Sequence, residues 1–398
     1  MKLKTLVLPV FIGLITMYSC EEIEIPVDTC DFSGPHNATN PYNDLYQEIL
    51  DENISLGIPG LSVAINTPEY SWWIGCAGMA RIEDKVTMEP CHLINSGSIA
   101  KTYTATLIMR LYEENKLDIN DPIKDYLPKE IVDNVANTDV ATIYHLLRHT
   151  SGITGEDNNS EKVDEYNDPL ADSILMSNIE KDFYGVPSLT DPGETFQYAN
   201  INYTLLALIV EEVSNMSFSE YFDREVRTPL RLANTVCNSD PGYPDDIQYN
   251  VNYYMEPFAG ELQNCTDIQF VRSNRTFGAS SIYATAYEFA LFMQKLLRGN
   301  ILDSTTIKMM LEDELEMSEY HKYCMGITKF DVDNRISYGH YGHTPGSMGI
   351  AMYFPESRIT ISVITNLGDS YFDSDNTKRF NTHVIPDIVE VTFTGSRD

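Results

Sequence analysis

A serine and a lysine stand three residues apart in the stretch Ser98-Ile-Ala-Lys101, at the start of an amphipathic segment. Residues three apart share one face of a helix, so the lysine amine can reach the serine hydroxyl. Ser98 would lie at the helix start, where unpaired N–H groups and the helix dipole favour developing negative charge. The pair suits a nucleophile and its base, provided that burial or a neighbouring cation lowers the lysine pKa from about 10.4 toward neutrality. The alternative is that Ser98 caps the helix and Lys101 is solvated.

Two further stretches carry residue types that would complete such a site. Tyr198 and Asn200 precede an apolar helical segment; a tyrosine can relay a proton, and an asparagine offers a donor and an acceptor to a substrate amide. His343 and Thr344 precede a strand, where an imidazole can bind a carboxylate and edge N–H groups can hold an oxyanion. Each stretch also has a purely structural explanation: a turn tyrosine, a helix-capping asparagine and an exposed loop histidine. His340 is expected to be such an exposed loop histidine.

The elements that must position these residues follow from hydrophobic periodicity. Apolar residues at helical spacing predict helices, and runs of β-branched and aromatic residues predict strands. Helices are predicted at 42–56, 98–117 and 377–389, with a helical pair at 203–226 and a helix that starts at 286 and ends near Gly299. Strands are predicted at 60–67, 70–80, 323–330, 347–355 and 358–366. Strands thus occur at both ends, and short helices fill the middle, from about 117 to 275. The predicted fold class is α+β: an antiparallel sheet flanked by the terminal helices, with an inserted, mostly helical lobe.

The order of the three stretches resembles the serine β-lactamase and penicillin-binding-protein superfamily. The similar branch contains class C β-lactamases, D-Ala-D-Ala carboxypeptidases, D-aminopeptidases and related esterases. The resemblance covers about residues 41 to 392 and implies a β-lactamase/transpeptidase-like fold. The segments that carry it, besides Ser98-x-x-Lys101, Tyr198-x-Asn200 and His343-Thr344, are "YHLLRHTSGI" at 144–153, "DPGETFQYAN" at 191–200 and "GASSIYATAYEFALFMQKLLRGN" at 278–300.

The resemblance implies a role for each matching residue. Ser98 would be acylated by the substrate carbonyl, while Lys101 and Tyr198 would share the acid and base steps. Asn200 would bind the acyl-side amide. His343 would replace the lysine of a Lys-Thr-Gly motif, followed by Thr344. The oxyanion hole would combine the N–H of Ser98 with one from Gly346 or Ser347, and His149 would be structural.

The third motif departs from the family pattern. The family usually has His-x-Gly, whereas in the motif that begins at His343 the third position is Pro345 and Gly346 comes next. Proline has no N–H and fixes its backbone angle. Either the strand register shifts by one residue or the motif is shortened.

The N-terminus resembles a bacterial export signal. A basic start, an apolar run and small or polar residues end at Cys20, which is the layout of a signal peptide. We expect residues 1–20 to be a lipoprotein signal with Cys20 as the lipidated residue, 21–40 a tether and 41–392 the hydrolase domain. The protein would then be anchored to a membrane of the cell envelope; the alternative is simple cleavage and secretion.

Charge and cysteine usage narrow the remaining possibilities. A net charge of −32 argues against nucleic-acid binding, because phosphate backbones need basic patches. Six cysteines follow Cys20, and an even number in an exported chain suggests disulfides. The pairs Cys76–Cys91 and Cys237–Cys265 are expected from proximity. The spacings do not match a zinc site, and no metal or organic cofactor is implied.

Two functional hypotheses follow. The first is an exported serine hydrolase that forms an acyl-enzyme on Ser98 and cleaves an ester, a D-amino-acid peptide or a β-lactam. His343 in place of lysine favours a peptidase or esterase over an efficient β-lactamase. The second is a β-lactam- or peptidoglycan-binding sensor with little turnover; the intact Ser98, Lys101 and Tyr198 argue against it.

Overall fold

The computed structural model describes residues 32, 34–36, 38–95, 97–155, 175–239, 250–258, 261–319, 321–368 and 374–397. Its helices are α1 (Asn43–Ser55), α2 (Ala100–Glu113), α3 (Lys129–Asn134), α4 (Ile143–Leu147), α5 (Leu175–Phe183), α6 (Asn200–Ser214), α7 (Phe218–Phe222), α8 (Thr228–Leu230), α9 (Thr266–Arg275), α10 (Ala286–Leu297), α11 (Ser304–Glu312), α12 (Asp375–Arg379) and α13 (Ile385–Thr394). Its strands are β1 (Gly60–Thr67), β2 (Ser71–Arg81), β3 (Val86–Thr87), β4 (Ile94–Asn95), β5 (Thr235–Cys237), β6 (Tyr254–Phe258), β7 (Glu261–Asn264), β8 (Ile282–Ala284), β9 (Leu315–Glu316), β10 (His321–Tyr323), β11 (Thr328–Val332), β12 (Arg335–Thr344), β13 (Ser347–Phe354), β14 (Ile359–Thr365) and β15 (Leu367–Gly368).

A nine-stranded sheet organises the fold, in the order β3-β2-β1-β14-β13-β12-β11-β10-β9. Its strands come from both ends of the chain, since β1 pairs antiparallel with β14 from Leu61↔Thr365 to Asn66↔Thr360. The prediction of an antiparallel sheet flanked by helices, with further helices in the middle of the chain, is confirmed.

Both faces of the sheet are covered. On β13, Ile350 and Met352 belong to the apolar cluster shared with the first and last helices. Ala351 and Tyr353 belong to the larger cluster shared with the helical lobe. Every residue of β13 is buried, which explains why this strand reads as an almost continuous apolar run rather than an alternating one.

The helical lobe contains more strands than the sequence predicted. Strands β5, β6 and β7 lie within it and contribute to two small three-stranded sheets, ordered β15-β6-β7 and β4-β8-β5. A second difference concerns 323–330, predicted as one strand. It is the turn between β10 and β11, and only its two ends are extended.

Helix α2 runs through the interior of the molecule. Ten consecutive residues, Ala100 to Met109, are buried. Helix α6 is similarly buried over most of its length. Any polar side chain on α2 must therefore find its partners inside the protein, because water does not reach it.

The predicted disulfides are wrong. Cys76, Cys237 and Cys265 are all reduced thiols, whereas Cys91 is in a disulfide. Cys76 Sγ instead lies 3.3 Å from the Ser62 hydroxyl across the β1–β2 pair. Closeness in the sequence misled the prediction because it does not by itself bring two Cα atoms within the roughly 4.4–6.8 Å that a disulfide needs.

The signal segment and Cys20, which were predicted at the N-terminus, lie outside the described residues, as does most of the predicted tether. Part of the predicted tether contacts the domain, since Phe32 packs edge-on against Tyr287 and His36 Nδ1 accepts the Ile74 N–H at 3.1 Å. Among the described residues, the helices are all too short or too polar to cross a bilayer.

Candidate active site

Ser98 and Lys101 meet at the N-terminal end of α2. A 3₁₀ turn, Gly97–Ile99, leads into the helix, and Lys101 Nζ lies 2.9 Å from Ser98 Oγ. The Lys101 side chain is 0% exposed, whereas Ser98 is half-buried and lines a cavity. The structural alternative is not supported, because α2 has no capping side-chain hydrogen bond among the described residues.

The amine of Lys101 is held by neutral oxygen atoms. Besides Ser98, it donates to Asn200 Oδ1 at 2.7 Å and to the Ala279 carbonyl at 3.3 Å. Asn200 is the first residue of α6, so the packing of α6 against α2 sets this contact. Asn200 therefore uses its carbonyl oxygen on Lys101, and only its amide end is left to serve a substrate.

Tyr198 lies against the same amine. Lys101 Nζ is 4.7 Å from the centroid of the Tyr198 ring. Tyr198 is half-buried and lines the cavity together with Ser98 and Asn200. Ser98, Lys101 and Tyr198, predicted as nucleophile, base and acid, thus come together, although Tyr198 is about 100 positions from the other two in the chain.

His149 fixes the loop that carries Tyr198. Its ring stacks on the Tyr198 ring at 4.3 Å between centroids. Its Nδ1 accepts the Ala199 N–H at 3.2 Å and lies 3.1 Å from Asn202 Nδ2. Burial lowers the pKa of His149 well below 6.5. A neutral imidazole that accepts at Nδ1 must carry its proton on Nε2.

That proton begins a chain of hydrogen bonds. His149 Nε2 lies 3.2 Å from the Tyr323 hydroxyl, which donates to the Tyr203 hydroxyl at 3.1 Å. Tyr203 in turn donates to the Leu147 carbonyl at 2.9 Å. Tyr323 also packs edge-on against the Tyr198 ring, with centroids 5.9 Å apart. Each donor in this buried chain has one acceptor, so the network can hold Tyr198 rigidly.

His340 differs from its prediction as an exposed loop residue. It lies within β12, is 2% exposed and lines the Ser98 cavity. Its Nδ1 is 2.6 Å from the Tyr341 carbonyl, which can only accept, so Nδ1 carries the proton. Its Nε2 is buried without a hydrogen-bond partner among the described residues and is left as an acceptor.

The sequence contains a signal for the role of His340. His340-Tyr341-Gly342 matches the His-x-Gly pattern in full, three residues before the position assigned to it. Burial, and then the charge of Lys101, lower the pKa of His340 to about 3. Burial, and then the charge of Arg272, lower the pKa of His343 to about 4. Of the two histidines, His340 is therefore the one whose pKa reflects the charge of Lys101.

The predicted oxyanion donors also need correction. Pro345 and Gly346 form the two-residue turn between Thr344 and Ser347. The Ser347 N–H donates to Thr344 Oγ1 at 2.9 Å, and the Ser347 hydroxyl donates to the Asn95 carbonyl. Ser347 is fully buried, so its N–H is not available to a substrate.

The His343 N–H is a candidate for that role. Thr344 flanks the turn, and its backbone groups face β13. In an antiparallel strand, the backbone N–H and C=O groups of successive residues point to opposite sides. His343 therefore points its N–H and C=O toward the side where β11 has already ended, at Gly339 of β12. Gly97, with φ +56°, lies on this side of β12. A Cβ atom at position 97 would be 2.8 Å from both the N and the O of His343, so glycine leaves room for the His343 backbone.

The cavity in front of Ser98 has a volume of about 1100 Å³. One wall was not predicted and comes from α9. Four polar residues recur there at helical spacing and line the cavity: Gln269, Arg272, Ser273 and Thr276. This spacing was visible in the sequence, but nothing in one sequence indicates that the helix faces Ser98.

The buried histidines predict how stability depends on pH. His340 and His149 are neutral when folded and take up a proton below about pH 6.5 when unfolded. The unfolded state then binds more protons, so stability is lost as the pH falls below 6.5, and for His340 the loss continues to about pH 3. From pH 7.5 to pH 5, each histidine should reduce the free energy of unfolding by about 2 kcal/mol.

Urea unfolding at pH 7.5 and pH 5 checks this expectation, with His340→Gln beside the wild type. The difference between the two pH values should be smaller in the variant. Equal differences in both proteins would show that His340 is not held neutral by burial.

Removing the Tyr323 hydroxyl should impair Tyr198 indirectly. In Tyr323→Phe, His149 Nε2 and the Tyr203 hydroxyl lose their shared partner, and the Tyr198 ring is held less tightly. We expect kcat to fall by about tenfold with little change in KM, and the pH profile of kcat to shift.

Tyr103→Phe is the matched control. Its hydroxyl is equally buried but has no hydrogen-bond partner among the described residues, so its loss should leave kcat and the pH profile unchanged. An unchanged pH profile in Tyr323→Phe would remove Tyr323 from the positioning of Tyr198.

The site combines a serine and a lysine at the start of a buried helix with a facing tyrosine and the edge of a strand. These features together define a class of protein. This arrangement, on an antiparallel sheet with a helical lobe, belongs to the serine hydrolase superfamily of amidases, penicillin-binding proteins and esterases. Within it, the chain belongs to the beta-lactamase family, whose model matches residues 43–383.

Comparison with known proteins supports the same placement. The chain is 27% identical over 321 residues to the putative penicillin-binding protein PbpX of Bacillus subtilis (strain 168), covering 81% of this chain and 73% of that protein. It is 27% identical over 216 residues to Protein flp of Staphylococcus aureus (strain MRSA252), covering 54% of this chain and 42% of that protein. The match thus spans less than half the length of Protein flp.

Solved structures share the fold. The D-amino acid amidase of Ochrobactrum anthropi SV3 superposes with a TM-score of 0.78 at 21% identity, covering 89% of this chain and 99% of that one. The penicillin binding protein of Bacillus halodurans gives a TM-score of 0.69 at 22% identity, covering 82% and 96%.

Proposed function

We propose that this protein is an exported serine hydrolase that works through an acyl-enzyme on Ser98. The observation that carries the proposal is the 2.9 Å contact between Ser98 Oγ and the fully buried Lys101 amine. A lysine with no access to solvent, held against a half-exposed serine in a cavity, is costly to keep unless it serves chemistry.

The geometry supports a two-stage reaction. In its neutral form, Lys101 accepts the Ser98 proton as Oγ attacks the substrate carbonyl, and the negative oxygen is held by the N–H groups of Ser98 and His343. Tyr198 gives a proton to the leaving group, which departs as the acyl-enzyme forms. Lys101 then passes the Ser98 proton to Tyr198, which restores both groups. A water molecule attacks the ester and loses its proton to Lys101, which passes a proton to Ser98 Oγ as the acid is released.

The substrate class rests on chemistry and on likeness. An acyl-enzyme route serves esters, amides and β-lactams alike, and what separates them is how water reaches the ester. Relatives named as amidases and penicillin-binding proteins support a D-amino-acid amide or peptide, or an ester. The neutral His340, where a Lys-Thr-Gly motif has a cation, supports these substrates over efficient β-lactam hydrolysis.

The location and domain division are part of the proposal. Residues 1–20 would direct export, with Cys20 lipidated and the domain of 41–392 held at the envelope by the tether of 21–40. Intact-protein mass of the isolated native lipoprotein, before and after lipase treatment, tests the anchor.

Intact-protein mass after mixing with a penicillin, a p-nitrophenyl ester or a D-amino acid amide tests the chemistry. We expect a transient mass increase equal to the acyl group, or turnover, that Ser98→Ala lacks. A penicillin adduct that persists without hydrolysis of any substrate would instead favour a sensor. No adduct and no turnover with all three substrate classes would overturn the proposal.

A further inference from the structure

The Ser98 cavity continues onto the opposite face of the sheet. Ser98, Tyr198 and Asn200 line one end of it. The other end is lined by what we call the apolar compartment: Phe330, Val332, Ile350, Met352, Ile385 and Pro386. The total volume of about 1100 Å³ lies just above the roughly 300–1,000 Å³ that is usual for small-molecule pockets. The reacting group alone does not need so much space.

The edge of β12 connects the two ends. Pairing with β11 ends opposite Gly339. Among the described strands, none pairs with the last residues of β12 on that side, where the turn at Gly97 packs against the His343 backbone. Tyr341 and His343 are on the same face of β12 as the C-terminal helix cluster, and both line the cavity. A substrate lying along this free edge can pass around it from Ser98 to the compartment.

The compartment lies against one of the two apolar clusters of the core. Phe330, Ile350 and Met352 belong to the apolar cluster beneath the terminal helices, yet they face the cavity. Val332 is half-buried, and Pro386 is exposed at the rim. Phe330, Ile350, Met352 and Ile385 are themselves at most 9% exposed. The apolar surface that a bound chain would remove from water therefore comes mainly from Val332 and Pro386.

Charge limits what can fill it. The charged residues that line the far rim are Asp331 and Asp333, whereas Arg272 lines the end near Ser98. An anionic group would be repelled at the far rim, in a chain whose net charge is already −32. The occupant is therefore apolar and carries no negative charge at its far end.

We propose that the apolar compartment binds an alkyl or aryl substituent of the substrate that acylates Ser98, so that the protein prefers esters or amides with a long, uncharged apolar chain. This inference rests on the proposed function. The cavity is continuous with the nucleophile, which makes a substrate substituent the occupant rather than a separate ligand.

Two ester series test the preference. In one, p-nitrophenyl esters lengthen from acetate to octanoate; in the other, acetate esters lengthen from methyl to octyl, followed by pH-stat. A fully buried methylene raises kcat/KM by about fourfold, so we expect at least a tenfold increase along one series. Values that stay flat or fall along both series would overturn the inference.

A second experiment reduces the volume of the apolar compartment by substitution. Val332→Trp should lower the ratio of octanoate to acetate kcat/KM by about tenfold, and Ile385→Phe provides a second variant if the first fails to fold. Val140→Trp is the control, because Val140 is exposed and outside the cavity. Unchanged ratios in both folded variants would also overturn the inference.

The two proposals fail in distinguishable ways. If Ser98→Ala cleaves p-nitrophenyl acetate as fast as the wild type, the acyl-enzyme proposal is wrong. If the wild type cleaves acetate through Ser98 but shows no dependence on chain length, only the compartment is wrong.

Discussion

Ser98→Ala is expected to lower kcat/KM by at least about 10³-fold on any substrate that the wild type cleaves. The hydroxyl is the group placed 2.9 Å from the Lys101 amine, facing the cavity. Without it, no covalent intermediate can form, and only the oxyanion donors and the binding surface remain. Steady-state kinetics, with intact mass to detect the acyl group, measures the loss.

The same variant should fold normally. Ser98 does not cap α2, and its loss removes one hydrogen bond worth about 1 kcal/mol, so the melting temperature should change by a few degrees at most. Ser280→Ala is a matched control, since Ser280 is a half-buried serine lining the same cavity and should retain most activity. A large stability loss with residual activity would instead make Ser98 a structural residue.

Lys101→Met should reduce kcat/KM by about 10³-fold, because Ser98 then has no base to take its proton. Methionine keeps an unbranched side chain of similar length and so fills the same buried space. Kinetics over a range of pH measures the effect, and raising the pH should not restore the wild-type rate.

Lys101→Met has two opposing effects on the free energy of unfolding. The variant removes an amine that is costly to bury, but it leaves Asn200 Oδ1 and the Ala279 carbonyl without their donor. We expect the free energy of unfolding to change by less than about 2 kcal/mol, as judged by urea unfolding. Lys129→Met, on an exposed lysine, should alter neither rate nor stability. Activity retained in Lys101→Met would show that another group is the base.

These expectations depend on features that the sequence showed early. The Ser98–Lys101 spacing places the two side chains on one helical face whatever the rest of the fold does, so their contact was predictable from local geometry. Strand and helix patterns at the two ends gave the sheet and its covering helices. Strands β1, β13 and β14 are rich in apolar residues, so their burial in the sheet was predictable from composition.

The third motif shows where sequence reasoning failed. His340 and His343 are both histidines beside glycines, and period-two alternation places them on opposite faces of β12. Which face meets Lys101 depends on how β12 packs against α2, and no local pattern records that packing. The glycine at 97 and the end of β11 then select the His343 N–H instead of that of Ser347.

The sequence by itself determined the candidate nucleophile and its lysine through their spacing, and the sheet through the periodicity of short segments, whereas the role of Tyr198 came from the resemblance to a family. The tertiary structure decided the rest: the Asn200 contact with Lys101, the chain of hydrogen bonds from His149, the wall from α9 and the apolar compartment. These features join residues that are tens to hundreds of positions apart. Their contacts are set by side-chain packing between elements, which depends on the whole core and not on any one segment.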